Sequence, residues 1–137
     1  MLKTKKEIEM ENSQNRLKFR AWDGKEMLIE VYVRDGFVYV IPERVYNTPH
    51  IELERVDNAI PLQYTGFRDK NGKGEELYHK DLIINHSRNY REPHVIEWSD
   101  KKGAWVGVYG GLEYLIAEEL YEIGKVGNFY ENPELIK

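Results

Sequence analysis

"HVIEWSDKKGAWVGVY", residues 94–109, places two runs of apolar and aromatic residues on either side of a short polar turn that ends in glycine. Val, Ile, Trp and Tyr favour extended backbone, and polar residues followed by glycine favour a reversal of the chain. The pattern is typical of an antiparallel hairpin. We therefore predict two neighbouring strands here.

Upstream of this hairpin, Asp-Gly and Asn-Gly pairs separate further apolar runs. Such pairs accept the positive φ angles of two-residue hairpin turns. They occur at Asp23-Gly24, Asp35-Gly36 and Asn71-Gly72. We predict an antiparallel meander whose strands include residues 16–22, 26–33, 37–41, 60–67 and 75–84. Residues 50–56 fit an edge strand or a short helix, since their apolar spacing matches neither period fully.

Downstream, apolar residues recur at helical spacing, and a glycine follows them as a C-terminal cap. The residues are Leu112, Leu115, Ile116, Leu120, Ile123 and the cap Gly124. We predict a helix over 112–123 and a closing strand over 125–130. The fold class is therefore mainly β, a small barrel or roll of short antiparallel strands with one C-terminal helix.

The length of 137 residues suits a single domain. Residues 1–15 mix Lys, Glu, Asn and Gln with few core-forming residues, so we expect a flexible tail followed by a domain over 16–137. The chain has no Cys, which excludes disulfides and thiolate chemistry, and its net charge is −4. We see no leader or membrane-spanning run and expect a cytoplasmic protein that does not bind membranes.

The loop "RDKNGKGEE", residues 68–76, resembles phosphate and calcium loops in composition. The glycine spacing is wrong for a phosphate loop, and Gly74 replaces the hydroxyl residue that would hold magnesium. Counted from Asp69 as a calcium loop, Lys73 and Lys80 occupy ligand positions. We predict a polar hairpin tip over Asp69–Gly74, in which Asn71 and Gly72 supply positive φ angles.

Catalytic and metal motifs are equally weak. The four histidines, at positions 50, 79, 86 and 94, lack the short spacing of a metal pair, although His79 and Asp81 would share a face of an extended strand. Glu97 beside Trp98 resembles the acid of a two-carboxylate hydrolase, but chance pairs are expected among 24 acidic residues. We expect no enzyme activity, no cofactor and no metal.

A basic strip gives the best candidate for a nucleic-acid contact. On a strand, Arg16, Lys18, Arg20 and Trp22 would face one way, so cations could follow phosphates and the indole could stack on a base. The competing interpretation, which the acidic total favours, is the solvated outer face of an edge strand.

Four segments together, "RLKFRAWDGKEM", "LQYTGFRDKNGK", "LYHKDLI" and "VGNFYENPEL", resemble the YopX family of phage and prophage proteins in order and spacing. The resemblance implies a mostly β protein with an SH3-like small barrel and a phage or prophage origin. It implies no enzyme activity, since the family is of unknown function. The chain departs from the family at Tyr78–Asp81, where "YHKD" replaces the usual "YEGD".

These observations favour a non-enzymatic protein-binding or assembly module with an unidentified protein partner. Exposed strand edges and ten Tyr residues also lead us to expect self-association as a homo-oligomer. The alternative is a small-barrel module that binds nucleic acid through the basic strip.

Overall fold

A computed structural model describes residues 2–4, 18–42, 51–89 and 91–136. The chain divides into two compact units, residues 1–63 and 64–137. The strands are β1 (Leu2–Lys3), β2 (Phe19–Trp22), β3 (Met27–Leu28), β4 (Tyr32–Arg34), β5 (Phe37–Val40), β6 (Ile51–Glu52), β7 (Glu54–Val56), β8 (Ile60–Arg68), β9 (Glu76–Tyr78), β10 (Asp81–Asn85), β11 (His94–Ser99), β12 (Ala104–Tyr109), β13 (Leu112–Leu115) and β14 (Ile123–Asn128). Short 3-10 turns cover Ile116–Glu118, Leu120–Glu122 and Pro133–Leu135.

In the first unit, both predicted Asp-Gly turns form. Gly24 has a φ of 103° in the turn between β2 and β3, where the Asp23 carboxylate accepts the amides of Lys25 and Glu26 at 2.8 Å. Asp35 and Gly36, with φ angles of 52° and 81°, close the hairpin of β4 and β5. Both antiparallel hairpins are confirmed, but they lie in separate sheets, so the continuous meander is not.

The strand predicted over 26–33 is interrupted. Glu30 has a φ of 56°, which extended backbone does not allow, so β3 and β4 are separate strands. Residues 51–56 form β6 and β7, and β7 pairs with β5, so the strand alternative is correct for the described part of 50–56. His50 lies outside the described residues.

The three-stranded sheet β4-β5-β7 has side chains packed on both faces. One face supplies valines to a core around Ala21, Val31 and Val38. On the other, Tyr32 and Tyr39 pack against Leu53. Successive residues of a strand alternate between faces, so the register fixes which side chains point away from the valine core.

In the second unit, the strands of the antiparallel sheet follow the order β13-β12-β11-β10-β14. The predicted hairpin over 94–109 is confirmed, with Ser99 opposite Ala104 and Gly103 at a φ of 60° in the turn. A buried cluster forms the core of this unit: Leu77, Ile83, Ile96, Tyr114, Ile116 and Ile123.

The predicted helix over 112–123 is wrong. Gly110 and Gly111, both at positive φ, turn the chain back so that Leu112–Leu115 pairs with β12 as strand β13. Two 3-10 turns follow, and Ile123 begins β14. Of the residues at that spacing, Ile116 and Ile123 are buried from a 3-10 turn and a strand, while Leu112 is exposed, so they do not form one helical face.

The loop after β8 is a specified bend, but its mechanism differs from the prediction. Gly72 does not have a positive φ, whereas Gly74 has one of 74°. The buried carboxylate of Asp69 accepts the Glu75 amide at 2.7 Å and the Lys125 amide at 2.9 Å. A Cβ on residue 72 would overlap that carboxylate, so lack of space is what requires glycine there.

The mainly β, antiparallel fold class is confirmed. The SH3-like description and the single domain over 16–137 stay predictions. Of the predicted tail, only residues 2–4 are described, and β1 pairs there with β6; the boundary at 15/16 lies outside the described residues. No helix in the described ranges is long and apolar enough to span a membrane.

Replacing Gly72 with Ala should lower the free energy of unfolding by about 2 kcal/mol, because the new methyl group displaces the Asp69 carboxylate from two amides. Gly103→Ala is the matched control: nothing lies within 4 Å of its added Cβ, so only the positive-φ cost of about 1 kcal/mol applies. Urea unfolding of both variants measures the difference. Equal losses would show that the carboxylate moves aside freely.

Candidate interaction surface

Two tryptophans face each other across the hairpin of β11 and β12. Trp98 and Trp105 are paired residues, with ring centroids 5.3 Å apart and planes at 74°. The Trp98 indole N–H donates to the Asp100 carboxylate at 2.9 Å, and the residue is still 47% exposed. Trp98 is therefore an exposed aromatic side chain held in a fixed orientation.

Beside this pair, one carboxylate holds two cationic or titratable groups. Glu97 Oε1 lies 2.7 Å from His79 Nε2, and Glu97 Oε2 lies 2.6 Å from Lys80 Nζ. The His79 ring lies 5.6 Å from the Trp105 ring. All three charged or titratable side chains are partly exposed, so the ion pairs sit at the surface, next to the indoles.

Phe129 and Tyr130 extend the aromatic surface. Lys80 Nζ lies 5.1 Å from the centroid of the Phe129 ring, and the Phe129 and Tyr130 rings are 5.3 Å apart in an edge-to-face arrangement. We call the rings of Trp98, Trp105 and His79, together with those of Phe129 and Tyr130 on the other side of Lys80, the aromatic row. Its members come from β11, β12, the β9–β10 turn and the residues after β14.

The β9–β10 turn holds Lys80 in this position. Its amide donates to the Ile96 carbonyl at 2.9 Å, and its carbonyl accepts the Phe129 amide at 2.8 Å. The Asp81 carboxylate, fully buried, accepts the Tyr78 amide at 2.7 Å and pairs with Lys125 at 3.3 Å. Lys80 has a φ of 70°, which favours glycine, the residue that the related "YEGD" motif carries at this position.

The expectation that His79 and Asp81 share one face of an extended strand is not met. His79 bonds to Glu97 instead, while Asp81 is buried beneath the turn. Within the described ranges, no group of three or more His, Asp and Glu side chains could hold a metal ion. Glu97 is engaged by a histidine and a lysine, so the arrangement presents paired charges among aromatic rings.

The basic strip is not uniformly exposed. Arg20 is only 7% exposed, and β2 is not an edge strand, since it pairs on one side with β3 and on the other with β8. Lys18 and Trp22 are half-buried, and Arg16 lies outside the described residues. The prediction that Arg20 faces solvent is therefore wrong, while the binding of nucleic acid by the basic strip stays a prediction.

The sequence missed Lys80, Trp105 and Phe129 as members of one surface. One signal was present: Trp98 and Trp105 are each two residues away from the "DKKG" turn, residues 100–103, which makes them paired residues once the hairpin register is known. The β9–β10 turn brings Lys80 and His79 to Glu97, from which they are separated by 17 and 18 positions in the sequence. No local sequence pattern indicates this contact.

A second cluster, centred on His94, is buried. Its Nε2 lies 3.2 Å from the Asn89 carbonyl, which can only accept, so this nitrogen carries the proton and Nδ1 accepts the Tyr114 hydroxyl at 2.7 Å. The ring also stacks on Tyr109, with centroids 4.1 Å apart. Nearby, Arg88 makes two hydrogen bonds to Glu119, at 2.7 and 2.8 Å.

Burial explains the main shifts in this cluster. It lowers the pKa of His94 below its ordinary value of 6.5 and raises the pKa of Tyr114 to about 12. The Arg88 guanidinium holds the pKa of Glu119 below its usual range. The cluster is a neutral histidine beside a stable ion pair, which suits a structural role.

The family model described as YopX protein matches residues 18–137. The chain belongs to the YopX family. This YopX family member is similar to two solved structures. Protein EF1440 from Enterococcus faecalis is 28% identical, with a TM-score of 0.62 and coverage of 88% of this chain and 97% of that one. Protein yopX from Bacillus subtilis is 20% identical, with a TM-score of 0.53 and coverage of 87% and 97%.

The likeness to the Bacillus subtilis protein shows the fold alone. No curated protein matches this YopX family member. Neither structural neighbour's name states an activity. The function proposed for this YopX family member therefore rests on the chemistry of its own surface.

Replacing Lys80 with Gly should leave this YopX family member about 1 kcal/mol more stable than replacing it with Ala. Both variants lose the ion pair to Glu97, but only Gly relieves the cost of the positive φ. Thermal melting of the two variants side by side measures this difference. If their melting temperatures coincide, the backbone at residue 80 is not strained.

Stability should fall as the pH drops below 6.5. The folded state binds a proton at His94 less readily than the unfolded state, so the stabilisation is complete above the unfolded pKa and declines below it, by up to about 1.4 kcal/mol per pH unit. Urea midpoints measured from about pH 8 to about pH 5 test this. His94→Gln should flatten the profile, whereas substitution of the exposed His86 with Gln should not.

Proposed function

We propose that this YopX family member is a non-enzymatic protein-binding module whose partner contacts the aromatic row. The observation that carries the proposal is Trp98, an indole that is 47% exposed yet fixed by Asp100 and Trp105. Burying such a side chain gains apolar contact area. Because its orientation is already set, little side-chain entropy is lost on binding.

The composition of the row supports a protein partner. Binding energy at protein interfaces concentrates in a few residues, among which Trp, Tyr and Arg are enriched, and polar groups surround them. Trp98 and Phe129 are exposed, and the ion pairs of Glu97 with His79 and Lys80 are partly exposed. Because Lys80 is already paired with Glu97 and Asp100 adds a further carboxylate, this surface offers little positive charge to a phosphate backbone, which disfavours nucleic acid here.

The setting we propose is the cytoplasm of a bacterial host that carries a phage or prophage, as membership of the family suggests. Self-association is one form that the protein partner can take, since a second copy would bring the same aromatic rings. The proposal needs no cofactor and no membrane. Its basis is the shape and chemistry of one surface.

Trp98→Ala should abolish capture of the partner by the tagged chain from a lysate of phage-induced bacteria, and capture by the parent chain should survive high salt, since apolar burial dominates. Tyr121→Ala is the matched control: Tyr121 is 80% exposed but belongs to another part of the second unit. Light scattering of both variants measures self-association in parallel.

Two results would count against the proposal. Capture that Trp98→Ala and Tyr121→Ala reduce equally would show that the aromatic row has no special part. Turnover of a cell-wall substrate that Glu97→Gln abolishes would replace the binding module with an enzyme.

A further inference from the structure

A second aromatic surface lies in the first unit, on the face of the sheet β4-β5-β7 that points away from the valine core. The strand register places its members next to one another: Tyr32 opposite Tyr39, Arg34 opposite Phe37, and Tyr39 opposite Arg55. We call these five side chains the arginine–aromatic face. Val33, Val38 and Val56 occupy the opposite side of the same strands.

Each arginine of this face lies over an aromatic ring. The Arg55 guanidinium is 5.0 Å from the centroid of the Phe37 ring, and the Arg34 guanidinium is 5.7 Å from that of Tyr32. Phe37 is 48% exposed, and Arg34 and Arg55 are exposed. This face is therefore exposed at Phe37, Arg34 and Arg55, while Tyr32 and Tyr39 are half-buried against Leu53.

The charge of this face differs from that of the aromatic row. Both charged members are arginines, and one of them, Arg55, pairs at 2.9 Å with Asp57, which is itself largely exposed. An exposed pair of this kind is weak, so an incoming phosphate can replace the carboxylate. The aromatic row, in contrast, keeps Glu97 and Asp100 among its rings.

We propose that the arginine–aromatic face binds single-stranded nucleic acid, with bases stacked on Phe37 and Tyr39 and phosphates held by Arg34 and Arg55. Alternate residues on a strand are about 6.8 Å apart, so the two rings can receive successive bases of an extended strand. Sheets with exposed aromatic side chains recognise single strands in this way. A duplex hides the faces of its bases from such rings.

The site is independent of the proposed protein-binding surface and of the basic strip near residue 20. The net charge of −4 gives little long-range attraction for a polyanion. Binding therefore depends on stacking, and its electrostatic part comes from two arginines. For single strands, two phosphate contacts give a slope of about −1.4 for log affinity against log salt.

The experiment is fluorescence anisotropy of the full chain with a labelled oligo-dT of about 12 nucleotides, and with a mixed-sequence duplex of the same length. The single strand should bind more tightly than the duplex. Phe37→Ala should weaken single-strand binding about 10-fold, and Arg55→Gln should reduce the salt slope by about 0.7. Tyr121→Ala and Lys101→Gln, matched exposed controls from the second unit, should change neither value.

Phe37→Leu keeps the residue apolar while removing the ring, and it should weaken binding as Phe37→Ala does; thermal melting confirms that each variant is folded. Three results would overturn the proposal. These are no binding of the oligonucleotide at low salt, binding that Phe37→Ala and Phe37→Leu leave unchanged in folded protein, and capture of a protein rather than a nucleic acid that depends on Phe37.

Discussion

The buried carboxylate of Asp69 is the contact on which the second unit depends. One oxygen accepts the Glu75 amide and closes the loop between β8 and β9, and the other accepts the Lys125 amide of β14. The same loop donates its Asn71 amide to the Ile123 carbonyl. Two backbone N–H donors satisfy this carboxylate. The loop that resembles phosphate and calcium loops in composition therefore uses its acidic residue to connect two parts of the second unit.

Local patterns predicted the parts of the fold that local physics determines. The turns at Asp35-Gly36 and around Gly103 form where they were expected, because positive φ angles and alternating apolar residues act within a few positions. The helix over 112–123 failed because its apolar spacing fits two geometries. The choice between them was made by the turn at Gly110 and Gly111 and by pairing with β12.

The candidate surfaces were less predictable than the fold. The sequence identified Trp98 only as the neighbour of Glu97. Its fixed orientation depends on the hairpin register and on the hydrogen bond to Asp100. The contacts of Glu97 with His79 and Lys80 come from elements far apart in sequence. The sequence suggested an exposed edge strand at Arg20, whereas Arg20 is buried on a strand with neighbours on both sides; nucleic-acid binding by the basic strip stays a prediction.

The loop around Asp69 also decides how the five-stranded sheet can grow. Its amides and carboxylate occupy backbone groups along β14, so a further strand cannot pair there. In the described part of the chain, β13 is the other edge of this sheet, and Lys102 contacts both the carbonyl and the carboxylate of its Glu113. If β13 pairs with the same strand of a second copy, the antiparallel pairing runs about a two-fold axis, and the product would be a closed dimer.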